Sequence, residues 1–321
     1  MKKLRLGLLG TGIAAKELYL PAWKQLEHRI ELVACANRTR EKAERFARLA
    51  GFARVVGSAE ELFALPELDA VVVSLPIESQ PKFVLAALRA GKAVLSEKPV
   101  GPSVAAARSL IKAAKRFERP WLVGENFAFM GHAARLAELV KKGSLGEVRL
   151  VEAVQMTFMD AKNPYFATPW RAKPGHVGGF VTDGGVHVAN VLRRCFGMPK
   201  VVKQLTASFE PSLPPLDTAV ALLRFDSGAL GTWTSCFSAH YHGPLLRVYG
   251  KKATAELSWG ELVVRQPGGS STTFKPKHDS FRAEFEHFAD VVLRGHPLAV
   301  TPESALEDLV LLETLVRGAK K

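Results

Sequence analysis

Along the first 124 residues, short apolar runs alternate with amphipathic stretches at the spacing of strands and helices. Leu4–Leu9 has the pattern of a buried strand entering a glycine-rich turn, Ala14–Leu26 that of a helix broken near Pro21, and Ile30–Ala36 that of a second strand. A helix over Arg40–Ala50 and the apolar pair Val55-Val56 follow. Ser58 then caps an acidic first turn for a short helix to Leu65. Ala70–Ser74 is a continuous β-branched run, the mark of a parallel strand covered on both faces. Gly91 closes a helix over Gln80–Ala90, Ala93–Ser96 is the next strand, and a helix over 103–117 and a strand over 120–124 complete the series. Strands alternating with helices predict a doubly wound parallel sheet, an α/β Rossmann domain over residues 1–124.

Beyond residue 125 the pattern changes. Segments 147–159, 201–209, 218–225, 229–237, 244–250, 253–257 and 261–265 have the character of strands with few helices between them. Phe225–Ala229 and Tyr249–Lys252 sit between apolar runs as hairpin turns do. The tail returns to helix over Ser280–Leu293 and Pro302–Gly318, with Thr301 as N-cap and Pro302 at the first helical position. Residues 125–321 are therefore predicted as an α+β domain on a mostly antiparallel sheet.

Composition narrows the class. An apolar share of 47% and a charged share of 23% belong to a folded globular chain. No apolar run approaches the roughly 18 to 20 residues that span a bilayer, so no membrane association is expected. Met1-Lys2-Lys3 and the leucines after it resemble a secretory signal, but Arg5 and two glycines interrupt the run. Cys35, Cys195 and Cys236 have apolar flanks and no metal-ligand spacing, which suits reduced thiols in the cytoplasm. The net charge of +13 comes from Lys and Arg interleaved with acids along the whole chain. It predicts a solvated surface and no nucleic-acid partner. His240-Tyr241-His242 lacks a third ligand at a metal-site spacing, and no metal is expected.

The chemistry begins at Gly10-Thr11-Gly12-Ile13-Ala14-Ala15, which matches G-x-G-x-x-A after a strand and before a helix. Gly10 permits the tight turn, Gly12 lets backbone approach a pyrophosphate, and the N–H groups of the helix start face the phosphates. Gly10, Thr11, Gly12, Ile13 and Ala14 are thus expected to bind a dinucleotide. Where an NAD-binding strand would end on an acid, the chain has Asn37 and Arg38. Asn37 suits a ribose hydroxyl and Arg38 a 2′-phosphate, so NADP is expected over NAD, with NAD still possible. Ser96-Glu97-Lys98-Pro99 puts Glu97 and Lys98 at the carboxyl end of the sheet, where ligands bind. A lysine there can stabilise the oxyanion character that develops as a C–H bond gives up hydride. In Gly178-Gly-Phe-Val-Thr-Asp183-Gly-Gly-Val-His187, Asp183 and His187 share one helical face and are expected to pair as a proton-handling couple.

Taken together, the glycine turn, Ala90–Pro99 with its Glu-Lys-Pro, and the Asp183-Gly-Gly-Val-His187 segment resemble the Gfo/Idh/MocA oxidoreductases, the family of glucose–fructose oxidoreductase and inositol dehydrogenase. The resemblance implies that Lys98 orients the reacting oxygen, His187 exchanges its proton, Asp183 supports both, and the nicotinamide lies between the domains. It also implies that Asn126 contacts nicotinamide or substrate, that Tyr165, Trp170 and Arg171 face a sugar or polyol, and that homo-oligomers form through the exposed face of the second sheet as dimers or tetramers. One motif departs. The family's Pro-Asn-x-x-His is here Pro76-Ile77-Glu78-Ser79-Gln80, which leaves Ser74, Leu75 and Pro76 to meet the cofactor through backbone and packing. The expected activity is a dehydrogenase or reductase on a secondary alcohol. An NAD-dependent glycoside hydrolase and a non-catalytic dinucleotide-binding regulator are the alternatives. Arg38→Ala should raise the Michaelis constant for NADP far more than that for NAD; equal effects on the two would contradict the assignment.

Overall fold

The computed structural model describes residues 2–317, so Met1 and the predicted helix end at Gly318 lie outside the described residues. The chain forms two compact units. One comprises the residues up to Glu125 together with Asp279–Leu306, and the other Asn126–His278 together with the residues from Glu307 onward.

In the first unit, β1 (Leu4–Leu9), β2 (Ile30–Ala36), β3 (Arg54–Val55), β4 (Ala70–Val73), β5 (Ala93–Glu97) and β6 (Trp121–Gly124) alternate with α1 (Leu20–Gln25), α2 (Arg40–Ala50), α3 (Ala59–Ala64), α4 (Gln80–Arg89) and α5 (Val104–Ala114). The six strands are parallel in the order β3-β2-β1-β4-β5-β6. Every side chain of β4 is buried, as its unbroken β-branched run demands. Strand order reverses between β1 and β4, the switch point at which open α/β sheets bind ligands. The register is level there. Ala36, Leu9, Val73, Ser96 and Val123 stand in one row across five strands, so the residues that follow them form one rim.

The first helix is not broken at Pro21. A π-helical turn over Ala15–Tyr19 precedes α1 instead, and it takes up the rung of the ladder that Pro21, lacking an N–H, cannot make. Tyr19 and Trp23 from this helix pack their rings on Phe285 of the long helix Ser280–Arg294, at 5.2 and 5.3 Å between centroids.

In the second unit, α6 (Gly131–Lys141) precedes β7 (Val148–Met156). After the short α7 (Pro169–Ala172) comes α8 (Gly179–Phe196), then β8 (Lys200–Ala207), β9 (Thr218–Arg224), β10 (Leu230–Cys236), β11 (Leu246–Gly250), β12 (Thr254–Leu257), β13 (Leu262–Arg265) and β14 (Ser271–Phe274). These form an eight-stranded sheet in the order β14-β13-β12-β11-β7-β10-β9-β8. Its pairings are antiparallel except β7 with β10. The sequence pattern did not reveal β14, a polar edge strand whose side chains are mostly exposed, nor α6. The chain closes with α9 (Ser280–Arg294) and α10 (Pro302–Arg317).

Helix α8 is the centre of this second unit. A Cβ on Gly184 would stand 2.8 Å from the Phe237 ring, and one on Gly185 2.7 Å from Leu312. The two mid-helix glycines therefore trade helix propensity for close packing on both sides. Asp308 of α10 accepts from Asn190 and Arg193 of α8, each at 2.8 Å, and fixes the rotation of α8. Among the described residues, no helix is long and apolar enough to cross a membrane.

Candidate active site

The rim of the parallel sheet gathers the expected dinucleotide residues. Gly10 takes φ +97°, and a Cβ there would lie 2.1 Å from the Ser74 carbonyl oxygen, so only glycine fits. Its N–H donates to Ala36 O at 2.9 Å, and the Ser74 N–H donates to Leu9 O at 2.8 Å, which ties the turn to the strands on either side. At Gly12 a Cβ would meet nothing within 4 Å. That open space at the start of a helix suits a pyrophosphate, and the buried Thr11 Oγ1 has no hydrogen-bond partner within the chain. These residues fit the dinucleotide that their motif implies.

Asn37 braces the turn. Its Oδ1 accepts from the Thr11 N–H at 3.4 Å, and its Nδ2 donates to Thr39 O at 3.1 Å. Arg38 is exposed and makes no ion pair with a described residue, whereas Arg40 is engaged by Glu44 at 2.9 Å. Ser74, Leu75 and Pro76 follow β4 and are partly exposed, with the Leu75 side chain close against Gly10. Gln80, which stands where the family motif has histidine, is buried, and neither of its polar atoms has a partner.

Glu97 ends β5, and Lys98 follows it through a cis peptide to Pro99. Beneath, the Trp121 indole donates to Ser96 Oγ at 2.9 Å. The Glu97 carboxylate accepts from the buried Tyr19 hydroxyl, a partner that no sequence motif indicated. Burial, and then the Glu97 charge, push the Tyr19 phenol well above its usual range.

In the second unit α8 carries both Asp183 and His187. An ion pair joins Asp183 to Arg171, whose Nε donates to Oδ2 at 2.7 Å. Arg171 in turn lies 3.9 Å over the Trp170 ring and 4.8 Å over the Tyr165 ring. The four residues form one cluster at the head of α8, with both ends of the ion pair largely buried. His176 joins it through Trp170 and through Gly179 O, 3.2 Å from its Nε2. His187, one turn past Asp183 and partly exposed, stacks at 4.5 Å on Phe127. Phe127 lies next to Asn126 in the 3-10 turn Asn126–Phe129 that opens the unit, and Trp259 meets it edge-on at 5.1 Å. Among the described residues no group of three or more His, Cys, Asp or Glu side chains is placed to hold a metal ion.

Comparison with known proteins accords with this geometry. Residues 4–125 match the model of an oxidoreductase family's NAD-binding Rossmann fold, and residues 137–321 that of the same family's C-terminal alpha/beta domain. An oxidoreductase of Thermotoga maritima superposes with a TM-score of 0.92 at 35% identity, over 99% of this chain and 97% of that one. A dehydrogenase of Fusarium mangiferae is 31% identical over 98% of this chain and 96% of its own. The aldose-aldose oxidoreductase of Caulobacter crescentus, solved with glycerol, superposes with a TM-score of 0.86 at 27% identity, over 99% and 98% of the two chains.

Proposed function

Because the chain belongs to the Gfo/Idh/MocA oxidoreductase family, we propose that it interconverts a secondary alcohol and a ketone on a sugar, cyclitol or related polyol, with NADP as the preferred dinucleotide. The relative named for aldoses supports the sugar-like class. The observation that carries the chemistry is on α8, where Asp183 is held by Arg171 one turn before a partly exposed imidazole. Arg38, exposed and without an ion pair, supports the preference for a 2′-phosphate.

In this reading Lys98, Asp183 and His187 are the catalytic set. In the oxidative direction the Lys98 ammonium donates a hydrogen bond to the substrate oxygen and stabilises the alkoxide character that builds as the C–H bond breaks. His187 takes the hydroxyl proton, the task to which an imidazole is suited near neutral pH. The ion pair with Arg171 fixes the Asp183 carboxylate, so that one face of α8 keeps a constant geometry through turnover. A nicotinamide dinucleotide held by the glycine turn and the rim would supply the hydride acceptor, and in the reverse direction the donor. Gly10, Thr11, Gly12, Ile13, Ala14, Asn37, Arg38, Ser74, Leu75, Pro76, Glu97 and Asn126 bind the cofactor, and Tyr165, Trp170 and Arg171 line the substrate side. Lys98→Ala should abolish turnover of a polyol or keto-sugar while NADP titration shows affinity within about threefold of the wild type. A fully active variant would rule out the assignment.

The same reading extends to assembly. Strand β9 is apolar on both faces, with Ala219, Ala221 and Leu223 in the core and Val220 and Leu222 turned outward at 41% and 54% exposure. Leu205 of β8, opposite Val220, is 70% exposed. A sheet face of this kind marks an interface, and a second copy of the chain is the proposed occupant. Leu205→Lys combined with Leu222→Lys should yield monomers by sedimentation; an unchanged mass, or a monomeric wild type, contradicts this.

A further inference from the structure

Near Glu97 the first unit buries two further acids, Glu125 and Glu284, to which the proposed chemistry gives no role. Glu284 of α9 is 1% exposed, and its Oε1 has no hydrogen-bond partner. That oxygen lies 3.8 Å from the position of a Cβ on Gly124, the residue that ends β6 at the rim. The charged groups that face Glu284 are Glu97, at the end of β5, and Glu125, just after β6. The Tyr19 phenol, on the helix packed against α9, completes the group; its hydroxyl donates to Glu97, and Ser74 at the end of β4 is a further hydrogen-bond neighbour.

Two of the cations on and beside α9 are directed to other acids. Arg29 pairs with Glu286 and Asp290, and Arg294 with Asp290 at 3.1 Å. A carboxylate stripped of water, without a cation and beside two further carboxylates, is among the costliest groups to ionise in a protein. Burial first, and Glu97 and Glu125 after it, push the Glu284 carboxyl well above the usual carboxylate range. Its place in the sequence is equally pointed. Phe281, Phe285 and Phe288 form the apolar stripe of α9, and Glu284 falls on that stripe at the position three residues after Phe281.

We propose that Glu284 is a positioning residue, a carboxylic acid buried beside Gly124, the strand partner of Glu97, that holds the Glu97-Lys98 turn in its working geometry. The proposal rests on the reading of Lys98 given above. With Glu284 neutral, Glu97 keeps its hydrogen bond from Tyr19. An ionised Glu284 would repel Glu97 and displace the turn.

Two measurements on the full chain test this, and the first needs no turnover. A native state that keeps a proton the unfolded chain has lost grows less stable as pH rises, from about pH 4.3 until the native carboxyl itself ionises. Glu284→Gln removes that dependence. In urea unfolding of cofactor-free protein, the folding constant of the variant relative to wild type should therefore rise by up to about tenfold per pH unit between pH 5 and 8. A ratio that does not change with pH overturns the proposal. In turnover, Glu284→Gln should stay within about threefold of wild type. Glu284→Leu, lacking the polar head, should lose about a hundredfold in kcat with little change in the KM for NADP. A glutamine variant as impaired as the leucine one, or a loss confined to KM, also overturns it. If Glu284→Leu fails to fold, the pH-dependent ratio and the retained activity of Glu284→Gln decide the matter. If no substrate turns over, the redox reading fails by itself, and the folding ratio still reports on Glu284.

Discussion

The structure depends on the contact between Gly10 and the Ser74 carbonyl at the switch point of the parallel sheet. Two strands that run side by side end level there, and the chain of β1 must leave over the end of β4 with no room for a side chain. A left-handed glycine is the backbone solution. It sends the first helix off with its N-terminus above the rim, and it sets the height at which Asn37, Ser74, Glu97 and Gly124 appear in one row. The residues proposed to bind the dinucleotide are neighbours because the strand ends are level. A larger residue at position 10 would shift the whole rim and with it the Lys98 turn.

Much of this was legible in the sequence, for physical reasons that differ between the two halves. In the first, most strands are short apolar runs and α2 to α5 each carry a capping serine or a closing glycine, so the local pattern determines the element; Ser58 caps α3 as its spacing predicts, its side chain accepting from Glu61 N–H. The glycine turn and the Glu-Lys-Pro and Asp-Gly-Gly-Val-His segments are local strings and needed no long-range knowledge. What the sequence concealed is long-range pairing. Arg171 meets Asp183 across a loop, an ion pair that no local string announces. The parallel pairing of β7 with β10 and the polar strand β14 depend on sheet order in the same way. The Pro21 break fails because a helix can absorb one missing donor in a π turn without ending.

The cluster of Tyr19, Glu97, Glu125 and Glu284 draws its parts from four places in the chain that the fold of the first unit brings together. It shows how that unit treats charge. Ordinary ion pairs such as Arg5 with Asp69, at 2.8 Å, sit near the surface, where solvent limits their worth. At the rim, Glu284 is buried with Glu97 and Glu125 nearby, an arrangement that stabilises nothing by itself and is kept where geometry matters more than stability. The second unit does the opposite at α8, where Asp183 receives a buried cation stacked between two aromatic rings. One carboxyl is held neutral and the other is paired. Both devices serve to keep a side chain still.

The central claim is that this chain passes hydride between a bound nicotinamide and a carbinol carbon. It is tested most directly by presenting the protein with NADP and a panel of polyols and sugars deuterated at their carbinol carbons, then analysing the cofactor by mass spectrometry. Deuterium should appear at C4 of the nicotinamide with at least one of them. Tight NADP binding with no deuterium transfer from any member of the panel would contradict it.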